Sequence, residues 1–341
     1  MPNANEQIEE LRRQWGRRLF ILGHLYQRAS VLRHADAVGD SLELARQAAA
    51  RPEAERIVFC GVRFMAESAA ILSHGGQTVY MPETAAGCPM ADMATVEAAE
   101  RAWQFLAATG DAWLPVVYVN SSADLKAWCG RRGGSACTSS NAARVMQWAL
   151  AQRRRVLFLP DEHLGVNTAR DLGIPDERVA RFDPRLPDGG LTPAAARSAQ
   201  IVVWKGFCIV HIAFTADQIR RVREQLPAAK IIVHPETPAE VARLADAHGS
   251  TSQIIRYVAA APAGSTVVIG TEINLIERLA EEYRGRVAVK ALRPSVCANM
   301  AKTNEQNLLE LLQRWPPDRV VRVPAEIAAD ARRALERMLS L

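Results

Sequence analysis

Nine short β-branched runs alternate with helical stretches along this chain, and they fall into three sets of three. They are "RLFILGH", "RIVFCGV" and "QTVYMP", then "LPVVYVN", "RVLFLP" and "IVVWKGF", then "KIIVHP", "TVVIGT" and "RVAVKA". Strands alternating with helices predict parallel sheets covered by helices, an α/β fold. The threefold recurrence narrows this to three copies of one unit.

The repeat extends to chemistry. In each set the first strand ends in two polar residues two apart: His24 and Tyr26, Tyr118 and Asn120, His234 and Glu236. A helical segment and a hydroxyl-rich turn follow, "VGDSLE" around Ser41, "ACTSSNA" around Ser139 and "HGSTSQ" at Ser250 and Thr251. The second strand ends in Cys60-Gly61, Pro160-Asp161 or Gly270-Thr271. The third leads to a cysteine: Cys88, Cys208 or Cys297. Gly39 to Cys88 spans 49 residues and Gly249 to Cys297 spans 48; the middle unit needs 69 from Ser139 to Cys208, and its Pro/Gly/Asp-rich "GIPDERVARFDPRLPDGG" reads as a loop insertion.

Parallel α/β units gather ligands at the carboxyl ends of their strands. Three units around a pseudo-threefold axis aim those ends at one centre, which places the cysteines, polar pairs and hydroxyl turns around an enclosed site. Zinc held structurally takes four ligands from close C-x-x-C pairs, which are missing here. Three distant thiolates fit an iron–sulfur cluster with one iron left open to act as a Lewis acid. The hydroxyls and helix N-terminal amides suit carboxylates or phosphates. Cys60, Cys129 and Cys137 occupy no repeated address and read as structural thiols.

Composition excludes other classes. Lys+Arg total 42 against 37 Asp+Glu, spread along 341 residues without a basic tract, so nucleic acid and membrane surfaces gain no support. No apolar run approaches the roughly 20 residues of a membrane span or resembles a signal peptide, so a reducing cytoplasm is expected.

Motifs in order along the chain resemble the quinolinate synthase family: "VGDSLELA", "FCGVRFMAESAAIL", "AGCPMAD", "VVYVNSSADLKA", "CTSSNA", "GFCIVH", "HPETPAEV", "GSTSQII", "GTEINLI" and "CANMAKTNEQNLLELL". The resemblance implies three αβα-sandwich domains around a [4Fe-4S] cluster held by Cys88, Cys208 and Cys297. It also implies an enzyme of the EC 2.5.1 transferase type that condenses iminoaspartate with dihydroxyacetone phosphate in NAD biosynthesis. The substrate is then compatible with coupling to an L-aspartate oxidase or aspartate dehydrogenase. Family active-site positions carry over onto His24, Tyr26, Ser41, Tyr118, Asn120, Ser139, His211, His234, Glu236, Ser250 and Thr251. Glu236 with His24 and Tyr26 are candidates for proton transfer, and His211, three residues after Cys208, for orienting substrate or tuning the cluster. Gly23, Lys205, Thr237 and Ala298 depart from common family residues, and the C-x-x-C-x-x-C cluster of some members is missing.

The units are expected near residues 17–113, 114–226 and 227–323, with a C-terminal helix over 324–341. The helical "NEQNLLELLQRW" and strand-like "RVVRVP", within 303–324, are expected to pack back on the first unit. A related cluster enzyme of diphthamide synthesis shares such an arrangement but needs a site for S-adenosylmethionine. A cluster or zinc sensor needs the cysteines but has no use for the acid–base residues beside them.

Overall fold

A computed structural model of the chain describes residues 3–110, 112–152 and 154–341. Among these, three separate sheets form, and every paired strand within them is parallel. The first sheet holds β1 (Leu19–His24), β2 (Ala37–Gly39), β3 (Arg56–Cys60) and β4 (Thr78–Tyr80), in the order β2-β1-β3-β4. The second holds β5 (Trp113–Tyr118), β6 (Ser135–Cys137), β7 (Arg155–Leu159), β8 (Val179–Phe182) and β9 (Ile201–Trp204), in the order β6-β5-β7-β9-β8. The third holds β10 (Lys230–Val233), β11 (Ala247–His248), β12 (Thr266–Gly270) and β13 (Ala288–Ala291), in the order β11-β10-β12-β13. Strand for strand the order is the same, with β8 added at one edge of the middle sheet.

Two differences from the sequence reading have physical causes. Strands β2, β6 and β11 escaped notice because two or three residues carry no periodicity. The insertion, expected as a loop, contains β8, whose pairing with β9 runs from Val179–Ile201 to Phe182–Trp204. Its flanking prolines and glycines masked a four-residue strand.

Central strands are buried on both faces, as covered parallel sheets require: every residue of β1 and β5 is buried. Helix Ala4–Trp15 and helix Glu305–Arg314 cover one face of the first sheet, where Ile8, Leu308 and Leu312 meet Leu19, Ile21 and Val58. Both helices begin in reciprocal caps, Asn3 with Glu6 and Asn304 with Asn307. The following segment meets the same sheet, yet Val320 makes only an isolated antiparallel bridge to Tyr80. Pro316, Pro317 and Pro324 bracket it and deny it a ladder. Helix Ala325–Ser340 buries Ala331, Ala334, Leu335 and Met338, a 3-4 spacing that defines one apolar face. It crosses helix Ala123–Arg131 so closely that a Cβ on Gly130 would lie 2.0 Å from the Asp330 carbonyl oxygen.

Two of the unusual residues have local partners. A Cβ on Gly23 would come 2.5 Å from Leu32 Cδ2, so glycine there lets the helix Ala29–Leu32 press onto β1. Lys205 donates to Asp183 at 3.2 Å and ties the end of β9 to the insertion.

Candidate active site

The carboxyl ends of all three sheets open on one cavity of ≈ 80 Å³. That volume holds several water-sized spheres of about 10–15 Å³ each, room for a small molecule and not for a polymer segment. The first sheet contributes His24, Tyr26, Ser41 and Cys88 to its walls; the second contributes Tyr118, Asn120, Ser139, Cys208 and His211; the third contributes His234, Glu236, Thr251 and Cys297. Ser250 is not among the lining residues: it is fully buried, and its hydroxyl accepts from Gln253 N to cap helix Thr251–Ala260. Cys60, Cys129 and Cys137 are buried in β3, in helix Ala123–Arg131 and in β6, apart from the cavity lining.

Matching strand ends fix two histidines in the same way. The ring Nδ1 of His24 accepts from Tyr26 N at 3.1 Å, and that of His234 accepts from Glu236 N at 3.3 Å. Burial drives both pKa values down, His24 to about 4 and His234 to about 3, the latter with help from neighbouring His211. Both rings are therefore neutral near pH 7. With Nδ1 accepting, the single proton sits on Nε2, making each ring a donor in the cavity it lines.

These shifts carry a stability consequence. An unfolded histidine gains its proton below about 6.5, whereas these two resist protonation until far lower, so their contribution is full above 6.5 and lost as pH falls. Between pH 7.5 and 5.5 each is expected to cost about 1.4 kcal/mol of unfolding free energy. Equilibrium unfolding at the two pH values checks this: His24→Gln should remove about half the histidine loss, and an unchanged pH slope would refute it.

A chain of hydrogen bonds links the three units. The Tyr118 hydroxyl donates to Glu236 Oε1, and His211 Nδ1 lies 2.7 Å from Glu236 Oε2. His211 Nε2 lies 3.0 Å from Thr271 Oγ1, which in turn lies 2.7 Å from the Tyr26 hydroxyl. The His211 and His234 rings stack at 4.3 Å. Burial acts to raise the Glu236 pKa, but the adjoining imidazoles and the two hydrogen bonds outweigh it and hold the carboxyl ionised, below the usual carboxylate range. Burial, with the Glu236 charge second, keeps both phenols neutral. A carboxylate next to an imidazole thus assigns Nδ1–H to His211, leaving Nε2 to accept from Thr271.

The three cavity cysteines also share one local geometry. Burial pushes their thiols up, Cys88 to about 12, while two backbone amides oppose this at each sulfur. The amides belong to Met90 and Ala91 for Cys88, Val210 and His211 for Cys208, and Asn299 and Met300 for Cys297. Always they are the second and third residues after the cysteine. Cys88 also feels the charge of Cys297, and Cys208 that of Cys88, so the thiols share one field. Sulfurs this buried lose their protons only to a cation, and amides aimed at them suit a thiolate ligand. Donor atoms of Cys208, His211 and Glu236 lie within 4.8 Å of one another, a group able to hold a metal.

The family profile of the quinolinate synthetase A protein matches residues 6–340. The chain belongs to the quinolinate synthase family. It is 46% identical over 344 residues to the quinolinate synthase of Corynebacterium glutamicum, covering 99% of this chain and 87% of that one. It is 47% identical to the enzyme of Streptomyces coelicolor, covering 100% and 89%, and 45% identical to that of Bacillus subtilis, covering 98% and 92%.

Several residues around this quinolinate synthase site carried no assignment from sequence. Thr271 bridges His211 and Tyr26, and Asp161 stands at the equivalent strand end of the middle unit. Asp161 Oδ1 accepts from Leu164 N at 2.6 Å, while Oδ2 is buried with no hydrogen-bond partner among the described residues. Burial, then the Glu236 charge, raises its pKa well above the usual carboxylate range. Glu272, raised to about 7 by burial, accepts from the Cys297 amide at 3.4 Å. The shared address at the end of the second strand was the available signal for Asp161 and Thr271. Among the described residues no helix is long and apolar enough to cross a membrane.

Proposed function

We infer that this chain is a quinolinate synthase that condenses iminoaspartate with dihydroxyacetone phosphate, giving quinolinate, phosphate and two waters in NAD biosynthesis. The observation that carries this is the shared geometry of Cys88, Cys208 and Cys297: one thiol from each unit, each with the same amide pair, in a cavity that also holds the Glu236–His211–Thr271–Tyr26 chain. The three thiolates would hold a [4Fe-4S] cluster, which supplies a Lewis-acidic iron for binding substrate and for loss of hydroxide.

The protein's own residues serve the proton transfers. Ring closure needs a proton shift in the phosphorylated ketose, phosphate loss, carbon–carbon and carbon–nitrogen bond formation, and dehydration. Glu236, ionised and buried, takes protons from carbon or nitrogen at these steps. His211 accepts at Nε2 as it gives up Nδ1–H to Glu236, so a proton can pass from the Tyr26 hydroxyl through Thr271 to Glu236 without reaching bulk water. His24 and His234 donate Nε2–H to substrate oxygens. Ser41, Ser139 and Thr251, with the amides at their helix starts, hold carboxylate and phosphate, and Asn120 adds a side-chain amide. Iminoaspartate comes from oxidation of aspartate by an oxidase or dehydrogenase in the same cytoplasm.

Ser139→Ala and Thr251→Ala are each expected to weaken quinolinate binding by about tenfold or more, the worth of a hydrogen bond to a charged group. Titration calorimetry checks this, with the cluster absorbance unchanged as control; wild-type affinity in both variants would remove the anion site. The activity itself is tested by an anaerobic assay of the iron-loaded chain with dihydroxyacetone phosphate and freshly generated iminoaspartate. Quinolinate is the expected product, and a fully loaded protein that forms none contradicts the assignment.

A further inference from the structure

Asp40 joins the three units at a single carboxylate. It belongs to the first unit and caps helix Ser41–Ala49, its Oδ1 accepting from Leu42 N and Glu43 N at 3.0 Å each. Its Oδ2 accepts from the Ser140 hydroxyl at 2.6 Å and the Ser252 hydroxyl at 2.7 Å. Ser140 belongs to the hydroxyl turn of the second unit and Ser252 to that of the third. An ionised carboxylate has about four acceptor sites, and all are taken, so Asp40 has nothing left to offer a substrate. Asp40 itself stands in the cavity wall, and each of its three attachments brings a further lining residue beside it: Ser41 follows Asp40, Ser139 precedes Ser140, and Thr251 precedes Ser252.

We propose that Asp40 is a positioning residue, the joint that sets the mutual spacing of Ser41, Ser139 and Thr251 so that three separate turns form one site for the anionic groups of the substrate. The inference rests on the anion-binding reading given above and extends it to a lining residue whose carboxylate oxygens are already taken by Leu42, Glu43, Ser140 and Ser252. Charge and position make opposite demands here. A carboxylate beside an anion site repels the anion, so if only its charge mattered, removing it would tighten binding. If it acts as the joint, removing it lets the turns drift apart and binding weakens despite the relieved repulsion. The carboxylate itself is held by charge-assisted hydrogen bonds, the stronger kind, and by the N-terminal field of the helix it caps. Burial works against its ionisation, and the Ser140, Glu43 and Ser252 hydrogen bonds more than compensate, keeping it charged.

Asp40→Ala and the double variant Ser140→Ala/Ser252→Ala test this in the iron-loaded protein, the second being the milder change because it leaves the cap of helix Ser41–Ala49 intact. Hydrogen–deuterium exchange should rise in Asp40→Ala at residues 41–44 and also at 138–142 and 250–254, in the two units that Asp40 reaches across to. In the double variant the rise should fall on 138–142 and 250–254. Quinolinate binding should weaken by roughly tenfold or more in both, the loss of about one hydrogen bond to a charged group, with kcat changing less than KM. An increase in exchange confined to 41–45 in Asp40→Ala would show an ordinary helix cap and overturn the proposal, as would quinolinate binding that is unchanged or tighter. If the wild type itself binds no quinolinate, the functional reading fails, and the exchange pattern still decides whether the joint exists.

Discussion

Glu236→Gln lowers kcat by about 10²–10⁴-fold, the range associated with losing a positioned general base, while iron content stays at the wild-type level. Glutamine keeps the volume but cannot take a proton. Its amide also fits the local pattern badly: Oε1 and Oε2 both accept in the wild type, from Tyr118 and His211, so one of these donors must now face an NH₂ group. The chain through Thr271 to Tyr26 then loses its proton acceptor at one end. Tyr118→Phe is the companion experiment. It removes one hydrogen bond that holds Glu236 ionised, so the Glu236 pKa moves up and the acid limb of the pH–rate profile shifts to higher pH, with a loss of about tenfold in kcat, one hydrogen bond to a charged group. Anaerobic kinetics with iron analysis on the same samples checks both variants. Wild-type turnover in Glu236→Gln would mean that proton transfer runs through other groups.

Much of this arrangement is legible in the amino-acid sequence because the repeat states the same thing three times. Central strands such as β5 and β7 announce themselves as apolar runs, and the matching intervals from hydroxyl turn to cysteine in the first and third units, with an insertion that accounts for the longer one in the second, single out Cys88, Cys208 and Cys297. What escapes is whatever depends on contacts between units. Asp40 reads as the N-cap of its own helix, which it is; nothing in "VGDSLE" says that its other oxygen holds hydroxyls from Ser140 and Ser252. Thr271 is an unremarkable strand-end residue until His211 and Tyr26, from two other sheets, are seen on either side of its hydroxyl. Ser250 shows the converse: a hydroxyl at the right address turns inward to cap its helix while its neighbour Thr251 lines the cavity. The pairing of β8 with β9 was hidden because a strand of four residues between prolines and glycines looks like a loop.

One measurement tests the central claim, that each of three repeated units delivers one ligand to a single cluster: iron and sulfide analysis of single cysteine variants purified without oxygen. The wild-type chain should carry about four irons, the content of one [4Fe-4S] cluster. Cys88→Ala, Cys208→Ala and Cys297→Ala should each lose the cluster, because two thiolates leave two of four irons without a protein ligand and each ligand comes from a different sheet that, among the described residues, offers no spare thiol at the cavity. Cys60→Ala, Cys129→Ala and Cys137→Ala should keep their iron, since those sulfurs are buried away from the cavity lining and their loss affects packing alone. A full complement of iron in Cys208→Ala would contradict the claim.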